Sequence, residues 1–183
     1  MSSRTTRVLV YAVGALSVAA LATAITYTSG LQTVRIEDRC DPDTFNAAVG
    51  DGTCVPIDRG GLHTFDEFLQ RTAEDFGDGA WRYNPDHFDA KKGDSVNAHS
   101  IGGEFHTFTP VADFGPGVVD VLNDLLGLQG PPRQECIADA IHNFAATGVP
   151  PGATSDPIQL NKKGTQKIQC CIHPWMRTEI KVR

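Results

Sequence analysis

Apolar residues in this chain first run without interruption and later alternate with polar ones. Val8 to Tyr27 (VLVYAVGALSVAALATAITY) is one continuous apolar stretch, and no charged residue occurs from position 8 to 34. Arg4 and Arg7 precede it. A basic start, an apolar centre and the small-residue site Ala22-Thr23-Ala24 fit a secretory signal. A run of about 20 apolar residues also suffices to span a bilayer. Residues 1–30 are therefore expected to be a signal peptide or an N-terminal membrane anchor, with the anchoring segment at residues 8–27. Either way the arginines stay inside and the remainder lies outside the cytoplasm, whether periplasmic, secreted or on the outer face of the cell membrane.

Past residue 30 the periodicity changes from segment to segment. Thr64 to Phe76 reads as a helix: Thr64 and Glu67 have capping-box spacing, and Phe65, Phe68, Leu69 and Phe76 share a face. Trp81 to Pro110 reads as short strands broken by turns at Lys92-Gly93-Asp94 and Gly102-Gly103. Val118 to Leu126, between Gly117 and Gly127, predicts a short amphipathic helix. Arg133 to Ala146 predicts another, carrying Cys136 and His142, and Val149 to Pro157 is a Pro- and Gly-rich loop. In Thr165–Cys170 the residues alternate, with Ile168 and Cys170 on one face and Gln169 and Cys171 on the other. Thr178 to Val182 alternates again, with Ile180 and Val182 paired. Short strands with Gly and Pro turns predict a mainly β protein, a β-sandwich with helical insertions. The expected division is an N-terminal extension with a short helix at 31–78, then a domain at 79–183 with an insertion at 111–157.

Charge narrows the function. The formal net charge is −6, and loss of residues 1–24 with their two arginines makes the rest more acidic still. No basic stripe is present to displace counterions, so nucleic acid is not an expected partner. The five cysteines are Cys40, Cys54, Cys136, Cys170 and Cys171. An odd count in an oxidising compartment leaves one thiol to explain. If one cysteine binds metal, the other four can form two disulfides. Cys40 and Cys54 flank the polar loop DPDTFNAAVGDGT and would pair locally. Cys136 would pair with whichever of Cys170 and Cys171 is not a ligand.

The densest chemistry lies near the C-terminus, in Cys170-Cys171-Ile172-His173-Pro174-Trp175-Met176. It offers a thiolate, an imidazole and a thioether within one loop. Met176 is the only methionine besides Met1, so methionine is not serving here as general core filler. A thiolate, imidazoles and a weak axial thioether make up the ligand set of a blue copper electron-transfer site. The second imidazole must come from upstream. His106, in Gly103-Glu104-Phe105-His106-Thr107-Phe108-Thr109, follows a Gly-Gly turn and enters an aromatic, β-branched strand. His99 is its rival and would need another strand register.

These residues resemble the cupredoxins, the small blue copper proteins, and the ligand loop is most like that of amicyanin. That group has Cys-x-x-His-Pro-aromatic-Met followed by a basic residue, here Cys170 to Met176 and then Arg177. Gly93-Asp94-Ser95-Val96 and the later His106-Thr107 are similar to the upstream cupredoxin stretch. The resemblance covers about 79–110 and 158–183. It implies a Greek-key β-sandwich and one mononuclear copper ion held by His106, Cys170, His173 and Met176. Cys171 is then free to pair with Cys136. The swapped arrangement, with Cys171 as ligand, stays open in the sequence. Thr107 stands where an Asn adjoining the upstream His tethers the ligand loop in several blue copper proteins, and its hydroxyl can do the same.

The implied function is single-electron transfer between redox partners by an exported or membrane-tethered protein that is not an enzyme. The electron is expected to leave by the edge of His173, with a partner docking near His173 and Trp175; alternatively Trp175 packs under the loop. A second reading is a cupredoxin-fold module that binds or delivers copper, or contacts other proteins, without electron transfer. His63, His87, His99 and His142 are expected to be surface or hydrogen-bonded residues. No Ser/His/Asp order or phosphate-binding Gly loop stands out.

Overall fold

The computed structural model describes residues 29–183, so the apolar run assigned to a signal or anchor lies outside the described residues. Among those described, no helix is long and apolar enough to cross a membrane.

The described residues form ten strands, β1 (Leu31–Glu37), β2 (Arg82–Asn84), β3 (His87–Ala90), β4 (Ser95–Ser100), β5 (His106–Thr107), β6 (Thr109–Val111), β7 (Gly148–Val149), β8 (Ile158–Gln159), β9 (Gly164–Gln169) and β10 (Arg177–Val182). They form one sheet in the order β2-β1-β4-β8, a second in the order β3-β10-β9-β6, and a small β5-β7 pair. The protein is mainly β, as its sequence predicts. β1 runs parallel to β4 and antiparallel to β2. β9 and β10 are antiparallel neighbours, joined by the loop that carries Cys170, His173 and Met176.

One apolar core lies between the two sheets. Val34, Ile36, Val96 and Ala98 of the first sheet meet Ile168, Ile180 and Val182 of the second, with Trp81, Tyr83 and Phe108 filling the space. Each fully buried side chain of this kind stabilises the fold by about 1.5–3 kcal/mol. On β9 the face opposite Ile168 is covered as well. Gln169 is buried because its amide donates to the Gly115 carbonyl at 3.0 Å and its carbonyl accepts from the Gly115 amide at 3.1 Å.

Residues 31–78 are woven into the sandwich, since β1 sits between β2 and β4. The segment between Cys40 and Cys54, read from sequence as a polar loop, contains helix α1 (Pro42–Val49). Its signals are local: the Asp41 side chain accepts from the Thr44 amide at 3.3 Å, and Pro42 pre-sets the first turn. Eight residues are too few for a clear apolar period, which hid it. Helix α2 (Phe65–Glu74) has the predicted capping box at Thr64 and Glu67. Phe45 of α1 and Phe65 and Phe68 of α2 pack on one another, and Phe45 and Phe68 also reach Trp81.

The insertion contributes α3 (Asp120–Leu125) and α4 (Gln134–Ala140). The helix predicted over 133–146 stops early. Asn143 and Phe144 take positive φ (54° and 53°), and the Asp139 carboxylate accepts from the Ala146 amide at 3.3 Å and from the Thr147 hydroxyl. The turn thus returns the chain into β7, beside β5 and its histidine. Val149, read as the start of a loop, belongs to β7.

Candidate metal centre

His106 is held in β5, while Cys170 and His173 come from the β9–β10 loop. Two backbone bonds close that loop: the Cys170 amide donates to the Met176 carbonyl at 3.0 Å, and the Met176 amide donates to the His173 carbonyl at 2.9 Å. The sulfur of Cys170 then lies 3.9 Å from Nδ1 of His106 and 3.8 Å from Nδ1 of His173. All three side chains are buried. The Thr107 and His173 amides point at the same sulfur, at 3.4 and 3.5 Å. Met176 is buried in the same apolar cluster as Cys170.

The cysteines divide as the first of the two arrangements requires. Cys40 pairs with Cys54 and Cys136 with Cys171, leaving Cys170 as the free thiol. Asp38, Cys40 and Glu104 also lie close together, but the disulfide removes the Cys40 thiolate, and this group forms the back wall of the centre. The remaining histidines lie elsewhere. His99 Nδ1 meets the Thr154 hydroxyl at 3.0 Å, His63 pairs with Asp78 at 2.5 Å, His87 sits beside exposed Asp86, and His142 is exposed.

The centre is strongly polarised by its own groups. Burial alone would raise the Cys170 thiol, but hydrogen bonds from His106 and His173 and their charges hold it well below the usual thiol range. Burial alone would depress His106, yet its bonds to Asp38 and Cys170 raise it from 6.5 to about 10. Burial would raise Asp38, but His106 and the Gly103 and Glu104 amides bring it below its ordinary value. Burial dominates at Glu104 and pushes its carboxyl up. A thiolate and two imidazoles whose Nδ1 atoms converge on one buried point form a donor set for a soft, thiolate-binding metal. The residues therefore fit copper, with the thioether of Met176 in the same loop.

Asp38, Glu104 and Phe68 were not singled out in the sequence for a role around the centre. Asp38 Oδ2 contacts His106 Nε2 at 2.8 Å. Glu104 lies 3.7 Å from His173 Nε2 and accepts from the Trp81 indole. Phe68 and Trp175 both set ring edges against His173, with centroids 6.1 and 5.4 Å away. His173 is consequently only 3% exposed. The imidazole edge expected to face a partner is thus covered. Trp175 packs on the loop, its indole donating to the Asp78 and Trp81 carbonyls at 3.2 and 3.1 Å.

The chain is similar to solved structures of several cupredoxins. The purple cupredoxin from Nitrosopumilus maritimus is 12% identical, with 82% of this chain and 98% of that one covered and a TM-score of 0.41. Plastocyanin from Dryopteris crassirhizoma is 12% identical over 83% of this chain and all of the other, at a TM-score of 0.37. Amicyanin from Paracoccus versutus is 16% identical over 56% of this chain and 73% of the other, at 0.34. No protein family profile matches the chain, and neither does any curated protein.

Proposed function

We propose that this protein is a mononuclear blue copper electron carrier that works outside the cytoplasm. The observation that carries the reading is the convergence of Cys170 Sγ with the Nδ1 atoms of His106 and His173 in a buried site. His106, Cys170, His173 and Met176 would hold the ion. Bound copper supplies a centre that accepts one electron from a donor and passes one to an acceptor. The chain's own part is to keep the donors in place. The Thr107 and His173 amides hold the sulfur, the closed loop holds His173, and buried surroundings exclude water. Met176 would complete the donor set, and the reading is of an electron carrier rather than an enzyme. Two disulfides suit an oxidising compartment. A redox partner would dock near Trp175, which edges onto His173 and lines an open depression with Phe76, Arg82, Met176 and Arg177.

The cover over His173 favours a second reading, a module that keeps or delivers copper without fast electron exchange. One experiment separates the outcomes. Residues 31–183 loaded with Cu(II) should give an intense blue absorption band and narrow copper hyperfine splitting in EPR, both lost in Cys170→Ser. A colourless protein would sink the copper-carrier reading. A blue protein whose copper cannot be cycled by redox mediators would select the second.

A further inference from the structure

We propose that Asp38 is a positioning residue of the copper centre: its buried carboxylate grips the outer nitrogen of His106, so that Nδ1 is the nitrogen turned to the metal. The inference rests on the copper reading above but concerns a residue outside every motif that suggested it.

Asp38 follows β1 and is fully buried. Oδ2 meets His106 Nε2 at 2.8 Å and accepts from the Glu104 amide at 3.2 Å. Oδ1 accepts from the Gly103 amide at 2.8 Å and, more weakly, from the Cys40 amide at 3.4 Å. The carboxylate thus binds both the imidazole and the turn that delivers it.

The surroundings are shaped to admit that carboxylate. A Cβ on Gly102 would sit 1.8 Å from Asp38 Oδ2, and one on Gly103 would sit 2.5 Å from the Val55 carbonyl and 2.8 Å from Cys40 Sγ. Only paired glycines let the chain entering β5 pass so close to Asp38 and the Cys40–Cys54 disulfide. That disulfide begins two residues after Asp38 and anchors the segment that carries it. A ligand imidazole held by a carboxylate on its other nitrogen is fixed in tautomer and orientation and becomes a more basic ligand. A buried negative charge beside the site also favours the more positive metal ion.

The test compares wild type with Asp38→Asn, in which the amide oxygen still accepts from the Gly103 amide. Asp38→Asn should bind Cu(II) ten- to hundredfold more weakly, on the order of other losses from outer-shell changes, with a smaller loss for Cu(I). Each tenfold difference between the two ions raises the reduction potential by about 59 mV. A folded Asp38→Asn with wild-type affinities and potential would overturn the inference. Should that variant fail to fold, 15N NMR of the wild-type Cu(I) protein decides. A His106 Nε2–H proton protected from exchange supports the role, and one exchanging as freely as in exposed imidazole refutes it. Failure of the wild type to form a blue site would instead overturn the copper reading itself, and this inference with it.

Discussion

The Thr107 hydroxyl accepts a hydrogen bond from the Cys171 amide at 2.8 Å, joining the strand of His106 to the loop of Cys170 and His173. The same hydroxyl begins a row that runs through Thr109 at 2.9 Å and Thr147 at 2.8 Å to the Asp139 carboxylate in α4. Insertion and ligand loop are thereby linked. Thr107→Val keeps the shape but leaves a buried amide without a partner, which costs about 1–3 kcal/mol. Urea unfolding should show that loss. The blue band should persist with altered EPR parameters, because the sulfur contact from the Thr107 backbone amide survives the change.

Much of this candidate site was legible because three of its four side chains sit in one short loop. Cys170, His173 and Met176 are spaced by the turn that joins two adjacent strands, so their sequence spacing is their spatial relationship. His106 could be found through the glycines and aromatic strand around it. Asp38 and Phe68 lie 68 and 105 residues from the histidines they touch, and Trp81 lies 23 residues from Glu104, which it holds beside His173. Nothing in the local pattern of an acid before Cys40 or a Phe on a helix face says what lies opposite once two sheets close. The Gly102-Gly103 pair was visible as a turn, but its reason, the closeness of Asp38 and a disulfide, exists only in three dimensions.

The Cys136–Cys171 disulfide clamps α4 to the residue next to the free thiol and closes a separation of 35 residues. By the chain-entropy estimate its removal costs about 4 kcal/mol. The double variant Cys136→Ser/Cys171→Ser should show that loss in denaturant unfolding yet retain the blue band, since Cys170 is untouched. A colourless double variant would move the ligand role to Cys171.

The polarised pair predicts a particular pH profile for the metal-free protein. His106 is raised from 6.5 to about 10, so its contribution is fully present below 6.5 and is lost as pH climbs through about 10. Cys170 is lowered from 9.0, so its contribution is present above 9.0 and is lost as pH falls through its folded value. Between 6.5 and 9.0 the folded pair holds one proton on His106 and the unfolded pair holds one on Cys170, so the two slopes cancel. Stability from the pair should be level across that window, fall towards pH 10 and fall again below 6.5. Urea titrations of metal-free wild type from pH 5.5 to 10 would display the plateau and both shoulders, and Cys170→Ser, which keeps His106 bonded to Asp38, should lose the shoulder below 6.5.

The cover over His173 makes the last prediction. Phe68 is buried, its ring 6.1 Å from the His173 ring and 4.6 Å from that of Trp81. Cutting it to alanine removes a large core side chain and should cost about 3–5 kcal/mol. It should also open a way to the imidazole edge. If the cover limits exchange, the electron self-exchange rate of the Cu(I)/Cu(II) mixture, measured by NMR line broadening, should rise in Phe68→Ala while the blue band changes little. An unchanged rate would mean that electrons already leave through the aromatic packing, with Trp175, half-buried against His173, as the surface a partner meets. Trp175→Ala would then slow exchange with a partner, whereas Phe68→Ala would not.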